Sequence, residues 1–383
     1  MDPHQRVSNG IEDTALRVNI KGYRPKSPSV LLFPSLNFSF SLTSFAARLH
    51  PPLVIACDFS EYSLKQNLRL PLEMRYSSIL AVLASSLLAS ARPVRQNRRD
   101  AAAIQTVFQF AQVLNQLESS FYSQAISKFQ DSDFTNAGFS SSQMVTQILT
   151  QIQADEDTHI QALQGGLNGV GGSPLQCNFN FDNALTDVPT TLATARTVEF
   201  LGVSAFLGAA NLLPNDVVDS AGIILTVEAR HSTLLNVFSG TGSSIPSPFD
   251  IGLTPQEVLG IAGGFISGSC DLGITATNPL TVTNQNITSG TLLAVTANGI
   301  SGTDNLFCNM LQGGNTTMTN LPLAQCNVPT GTNGPVALWI TNSSTPLSGD
   351  VTTRATDAQV AGPAIFFVDS QPEALGQMVR PNA

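Results

Sequence analysis

Residues 152–163 read IQADEDTHIQAL and residues 224–235 read ILTVEARHSTLL. Each stretch contains a glutamate followed three residues later by a histidine, Glu156 with His159 and Glu228 with His231. Apolar residues recur around both pairs at helical spacing, so each pair is predicted to lie on one helix face, one turn apart. A single Glu-x-x-His is a common chance match. Two such pairs on separate helices predict one shared site.

Working outward, the same apolar period predicts four long helices. The link inside each helix pair is short, whereas about 22 polar, Gly- and Pro-rich residues separate the two pairs, which is the wiring of a four-helix bundle made of two hairpins. Gly165-Gly166 is predicted to end the second helix. A short fifth helix is expected to begin at Thr254, with Glu257 completing a capping box. The four long helices are predicted at 101–129, 141–163, 189–212 and 215–238.

The other two predicted helices carry one glutamate each, Glu118 and Glu199. Both follow apolar residues by four or seven positions, so they too are expected on the inner face. Four ionised carboxylates in an apolar interior would repel one another and lose hydration, unless cations lie among them. A Glu from each of two helices plus Glu-x-x-His from the other two is the ligand set of ferritin-like di-iron or di-manganese proteins. The predicted ligands are Glu118, Glu156, His159, Glu199, Glu228 and His231, for two Fe or two Mn ions.

The alternative is four solvated glutamates and two unrelated histidines. From residue 74 onward the chain has two histidines and six glutamates, and both histidines follow a glutamate by three. The alternative has to explain why each of the four glutamates interrupts an apolar stripe.

Three neighbouring residues are candidates for supporting roles. Asp155 is predicted to hold the ring N–H of His231 from across the bundle, and Arg230 to pair with a carboxylate. Tyr122, one turn from Glu118, is a candidate catalytic residue. The competing interpretations are a solvated Asp, a surface Arg and a core aromatic.

Composition restricts the classes of partner. The chain has 383 residues, 42% hydrophobic and 12% charged, with a net charge of −9. Nucleic-acid and anionic-membrane binding both need clustered Lys and Arg, so neither is expected. No membrane-spanning segment is expected either.

The N-terminal region resembles a processed leader. Met74 and Arg75 precede an apolar run that ends in Ala89-Ser90-Ala91, the layout of a secretory signal peptide, here 74–91. Residues 1–73 are then a non-native or disordered extension, and a cut after Arg98-Arg99 would remove 92–99 as a propeptide. The alternative is a buried core helix that happens to follow a methionine.

The cysteines agree with secretion. Outside the extension there are four, Cys177, Cys270, Cys308 and Cys326, an even number that favours disulfides. Three pairings are open, and proximity in sequence favours Cys177–Cys270 with Cys308–Cys326. Glycosylation sequons are found at Asn286, Asn315 and Asn342.

After Cys270 the sequence changes to short β-branched segments separated by Gly, Asn and Pro. This pattern predicts a small immunoglobulin-like β-sandwich at 270–370 with a C-terminal tail at 371–383. The predicted fold is therefore α+β and multidomain, with the bundle at 100–268.

The segments Leu117–Tyr122, Asp155–His159, Val198–Leu201 and Val227–His231 resemble the ferritin-like family of fungal stress-response and plant desiccation-related proteins. The resemblance implies a secreted, extracellular or cell-wall protein and no settled reaction. Three functions are then open: a ferroxidase, oxidase or catalase-like oxidoreductase acting on O₂ or peroxide; a metal-sequestering stress protein; and a non-catalytic cell-wall protein in which metals brace the bundle.

Overall fold

The computed structural model describes residues 98–213, 215–313 and 318–382. The predicted extension, signal peptide and most of the propeptide lie outside these residues, as does Asn315. The first described helix begins at Arg98, so the predicted dibasic cut falls in its first turn.

Four long helices lie close to where the apolar period places them. They are α1 (Arg98–Lys128), α3 (Ser142–Gly169), α4 (Val188–Ala209) and α5 (Asn215–Ser239), with a short α2 (Asp131–Asn136) between the first two. α1 packs mainly on α3, and α4 mainly on α5. Side-chain caps fix two of the starts: Ser141 accepts a hydrogen bond from Gln143 N before α3, and Asp187 accepts one from Thr190 N before α4.

The predicted end of the second helix is wrong. α3 continues through Gly165-Gly166 to Gly169. A Cβ at Gly166 would lie 2.6 Å from the ring of Phe108, so this glycine allows close packing of α3 on the aromatic side chain from α1. A glycine inside a helix costs about 1 kcal/mol relative to alanine, which tertiary packing offsets here.

α4 is apolar almost all round. Among the described helices, the segment Val188–Leu212 alone has the length and hydropathy of a membrane span, and 78% of its most apolar window is buried inside the protein. A helix that is hydrophobic on every face is typical of a protein core as well as of a membrane. Here the neighbouring elements of the same chain cover it.

The capping box predicted at the fifth helix is confirmed. In α6 (Pro255–Ala262), Thr254 Oγ1 accepts a hydrogen bond from Glu257 N, and Glu257 Oε2 accepts one from Thr254 N.

The remainder is mostly β-structure. β1 (Asn178–Phe179) pairs with β2 (Ile266–Ser267), and β3 (Thr281–Val282) pairs with β4 (Val295–Thr296). A four-stranded antiparallel sheet has the order β6-β5-β7-β8, and the short helix α7 (Ala374–Val379) lies in the predicted tail. The strands of this sheet are β5 (Phe307–Gln312), β6 (Thr319–Pro322), β7 (Gly334–Thr341) and β8 (Gln359–Val368).

This arrangement agrees with a mixed α+β chain, but the immunoglobulin-like sandwich is not confirmed. All eight residues of β7 are buried, so both faces of the sheet are covered. Ala337 and Trp339 point into the core shared with the helices, whereas Val336 and Leu338 point into a second core on the opposite face, to which Val282 and Val295 of the β3–β4 pair contribute. The helices thus cover the face that a second sheet would cover in a sandwich.

Both predicted disulfides are present. Cys177 pairs with Cys270 and Cys308 pairs with Cys326, which is the pairing that proximity in sequence favours. The first joins the long connection between the helix pairs to the start of the β region. The second lies inside the β region, between β5 and the segment that follows β6.

Candidate metal centre

The six predicted ligands are all buried. Each of the four glutamates is at most 2% exposed, His159 is 8% exposed and His231 is 4% exposed. Each interrupts the inner apolar stripe of its helix, so helix formation alone turns the side chain inward. The glutamates are Glu118 on α1, Glu156 on α3, Glu199 on α4 and Glu228 on α5, while the histidines belong to α3 and α5.

Glu156 lies between the two histidines. Its Oε2 is 3.1 Å from Nδ1 of His159, and its Oε1 is 3.1 Å from Nδ1 of His231. Nδ1 of His231 is also 3.3 Å from Glu199 Oε2, and Nδ1 of His159 is 3.6 Å from Glu228 Oε1. Each histidine therefore faces one oxygen of Glu156 and one further carboxylate.

Glu118 joins this group from α1. Both Glu118 and Glu228 approach the backbone of α4 at Gly202, where a Cβ would lie 2.9 Å from Glu118 Oε1 and 2.7 Å from Glu228 Oε2. Because Gly202 has no side chain, it leaves room for both carboxylates.

Ligand atoms of Glu156, Glu199, Glu228 and His231 all lie within 4.8 Å of one another, a spacing that fits a metal ion. Glu118 and His159 do not belong to this group of four, although His159 Nδ1 lies close to Glu156 and Glu228. The structure thus brings all six predicted residues into one cluster and four of them into metal-binding range of one another. Whether each one is a ligand remains a prediction.

Burial and mutual repulsion make these carboxyl groups hard to ionise together. Burial, and then repulsion by Glu156 and neighbouring carboxylates, raises the pKa of Glu118 and of Glu228 well above the ordinary value. Burial also raises the pKa of Glu199. For Glu156 burial acts in the same direction, but the hydrogen bond with His159 and the close approach of His231 outweigh it and lower the pKa.

Several polar atoms of the centre have no hydrogen-bond partner among the described residues. Leaving such a buried group unpaired costs about 1–3 kcal/mol, and more when it is charged. Carboxylate oxygens and imidazole nitrogens are the donors that iron and manganese accept in proteins, so the cluster fits such ions. The unpaired atoms are Glu118 Oε2, Glu156 Oε1, Glu199 Oε2, both oxygens of Glu228 and His231 Nδ1. The short distances from His231 Nδ1 to Glu156 and Glu199 lack the geometry of a hydrogen bond.

The supporting residues behave differently from one another. Asp155 Oδ2 lies 3.2 Å from Nε2 of His231, which is the contact predicted from the sequence. Tyr122 is fully buried and donates a 2.6 Å hydrogen bond to Glu199 Oε1. Arg230 is exposed, and no described carboxylate lies within salt-bridge distance of it, so its pairing with a carboxylate stays a prediction. It follows Glu228 by two residues, which turns it to the far side of the helix.

A comparison with protein families finds one match that covers these helices, over residues 104–241, to the ferritin-like domain. This part of the chain is similar to the ferritin-like domain family. The match begins within α1 and ends just after α5, so it includes all six predicted ligands. A search of curated proteins finds no match to the chain.

Sequence reasoning missed several buried polar side chains on these helices, of which Asn115 is the nearest to Glu118 along the chain. Asn115 lies one turn before Glu118 on α1, is fully buried, and has neither amide atom hydrogen-bonded among the described residues. Its inward position could have been predicted from the sequence, because Asn115 follows the inward-facing Ala111 by four residues and so lies on the same helix face.

Proposed function

We propose that the ferritin-like domain is a four-helix bundle that binds two iron or two manganese ions between its helices and serves an oxidoreductase-type or metal-binding role. The observation that carries this proposal is the cluster of four buried carboxylates with unpaired oxygen atoms. Two divalent cations would balance four negative charges and satisfy those atoms at the same time. No other described residue supplies a positive side chain within salt-bridge distance of these glutamates, apart from the two histidines.

The two sides of Glu156 support a site for two ions. One oxygen faces His159 and the other faces His231, and each histidine also faces a second carboxylate, Glu228 or Glu199. In this assignment Glu156 is shared between two positions, each with its own histidine, and Glu118 completes the set.

Bound iron or manganese would supply redox chemistry with O₂ or peroxide. The protein's own residues prepare the site in three ways. Asp155 accepts a hydrogen bond from Nε2 of His231 and so directs Nδ1 toward the carboxylates. Tyr122 fixes Glu199 by a hydrogen bond, and it is the nearest described phenol to the centre, which keeps it a candidate for a catalytic role. Burial of all four glutamates excludes bulk water.

Secretion belongs to the same proposal. Two disulfides suit an oxidising compartment. Asn286 and Asn342 are exposed, as acceptors of glycans must be. With the resemblance to fungal stress-response proteins, these features support a secreted glycoprotein, extracellular or associated with the cell wall.

The competing function is a non-catalytic protein in which the ions brace the bundle. It is favoured by one observation: the cluster joins all four long helices, so metal binding would hold them together whether or not turnover occurs. The two functions differ in turnover, which is measured as O₂ uptake with Fe(II) and as peroxide dismutation with Mn(II). The oxidoreductase shows one of these activities, and the non-catalytic protein shows neither.

Metal content tests the proposal directly. Glu156→Gln keeps the size of the shared side chain and removes its charge, and Asp157→Asn makes the same change at an exposed neighbour on the same helix. The purified full chain, loaded with Fe(II) or Mn(II) and freed of excess metal, is analysed by plasma mass spectrometry. We expect two ions per chain in the wild type and in Asp157→Asn, and at most one in Glu156→Gln. Equal metal content in all three proteins would exclude the site.

A further inference from the structure

An apolar cavity lies between the helices of the ferritin-like domain, next to the proposed centre. Its volume is about 260 Å³, close to the lower end of the range for small-molecule sites. All four long helices contribute to its wall. Representative lining residues are Phe108 and Leu114 from α1, Ala162 from α3, Phe206 from α4, and Ala221 and Ile224 from α5.

Apart from the ring of His159, the wall carries no ionisable side chain. Its other polar side chains are Thr158 and Ser220, and the hydroxyl of Thr158 already donates a hydrogen bond to Ala154 O. A polar or charged ligand would lose hydration on entry without gaining hydrogen-bond partners, so its binding is disfavoured. A hydrocarbon chain has no hydrogen bonds to lose, and its binding is favoured by each CH₂ group that it removes from water.

One side of the cavity reaches the proposed centre. The ring of His159 is part of the wall, while Nδ1 of the same ring lies 3.1 Å from Glu156 Oε2. His159 therefore borders both the cavity and the carboxylate cluster, and a ligand in the cavity would contact its ring.

The other side reaches water. Ile223 lines the cavity and is 58% exposed, and Thr158 is exposed as well. An exposed isoleucine at the mouth of an apolar cavity offers contact area to a ligand that extends outward. A molecule with an apolar chain and a polar end would fit, because its polar end would stay in solvent.

We infer that this cavity binds the alkyl chain of a fatty acid or a similar single-chain amphiphile, with the chain end against His159 and the polar end in solvent beside Ile223. The binding itself depends on the cavity alone. That the chain end lies next to two metal ions rests on the proposed function.

The test is a binding titration of the full chain with parinaric acid, a fatty acid that becomes fluorescent in an apolar site. We expect saturable binding at one probe per chain, and displacement both by a saturated fatty acid and by an alkane that lacks the carboxylate. Displacement by the fatty acid alone would show that the head group, not the alkyl chain, is recognised, and would overturn the inference. Absence of saturable binding by the wild type would overturn it too.

Two alanines of α3 provide a matched pair of variants. Ala162→Phe fills the cavity, whereas Ala154→Phe adds the same ring at an exposed position on the same helix. We expect Ala162→Phe to weaken probe binding at least about tenfold and Ala154→Phe to leave it within about twofold. Equal affinities would place the probe elsewhere and refute the assignment. If Ala162→Phe does not fold, Ala221→Phe fills the cavity from α5 and is judged by the same criterion.

Metal content, measured on the same preparations, separates the two proposals. Probe binding without metal binding removes the proposed centre and keeps the alkyl-chain site. Metal binding without probe binding does the reverse.

Discussion

At the scale of single residues, the hydrogen bond from Tyr122 to Glu199 is a buried contact of the centre that one substitution can remove. Tyr122→Phe keeps the ring and its edge contact with Phe121, but leaves Glu199 Oε1 without its 2.6 Å partner. Because a buried acceptor left unpaired costs about 1–3 kcal/mol, the metal-free protein should lose stability of that size. Urea unfolding of the metal-free chain measures it.

Ser119→Ala is the matched control for Tyr122→Phe. It removes a hydrogen bond of equal length, 2.6 Å to Asp157, from the exposed side of the same helix. Surface changes of this kind usually stay within about 0.5 kcal/mol. Equal losses in the two variants would mean that burial does not strengthen the Tyr122 contact.

His231 makes the metal-free domain sensitive to alkaline pH. Burial alone would lower its pKa, but the nearby carboxylates of Glu156 and Glu199 outweigh burial and raise the pKa from 6.5 to about 10. A raised pKa stabilises the folded state fully below the unfolded value of 6.5, and this contribution is lost as pH rises toward 10. The raised pKa values of Glu118 and Glu228 also lower the stability as pH rises. Each carboxyl group keeps its proton in the folded protein at pH values where the unfolded chain has already lost it.

We therefore expect the metal-free protein to lose stability between pH 6.5 and about 10, on the order of 1.4 kcal/mol for each pH unit from His231. Urea unfolding in the presence of a chelator, repeated across this window, measures the slope. The metal-loaded protein should show a smaller slope, because bound cations replace the protons. A flat profile for the metal-free protein would contradict the assigned contacts of His231.

At the scale of helices, Gly202 is the position where two carboxylates approach the backbone of α4. Gly202→Ala would place a methyl group 2.7 Å from Glu228 Oε2 and 2.9 Å from Glu118 Oε1, so both carboxylates must move. We expect fewer than two ions per chain and weaker metal binding, although alanine is the better helix former. Titration with Mn(II) followed by electron paramagnetic resonance measures the loss.

Gly222→Ala on α5 makes the same substitution in open space, with no atom within 4 Å of the new Cβ. It should leave metal binding unchanged and stabilise the protein by roughly 0.5–1 kcal/mol, since a helix-interior glycine is replaced. If both variants kept full metal content, the close approach at Gly202 would have no role in the site.

At the scale of the whole molecule, Glu257 links the helices to the sheet. Its carboxylate accepts hydrogen bonds from Trp339 Nε1 at 2.8 Å and from Arg354 Nη1 at 2.7 Å, and the side chains of Glu257 and Arg354 are fully buried. Glu257→Ala would leave the guanidinium of Arg354 buried without its partner, which costs about 3–5 kcal/mol. Thermal unfolding measures the loss.

The double variant Glu257→Met with Arg354→Met distinguishes a lost ion pair from lost packing. With no lone charge left, it should recover much of the stability that Glu257→Ala loses. Metal content per folded chain should stay unchanged in all of these variants, because Glu257 lies outside the carboxylate cluster. A double variant as unstable as the single one would show that packing, not the isolated charge, sets the cost.

The sequence by itself determined the helices and the residues that meet between them. An apolar stripe with a period of 3.6 residues assigns a side chain to the inner or outer face without any knowledge of the neighbours, and Glu118, Glu156, Glu199 and Glu228 each interrupt such a stripe. Burial follows from that assignment, and so does the need for cations.

Only the tertiary structure decided what depends on a second element. Gly202 and Gly166 look alike as helix glycines, and only the approach of two carboxylates to one and of the Phe108 ring to the other explains them. In the same way, β-branched segments specify strands but not what covers them, so the helices could take the place of a second sheet. Local spacing encodes the face of an element, whereas the partner of that face is fixed only when distant parts of the chain pack together.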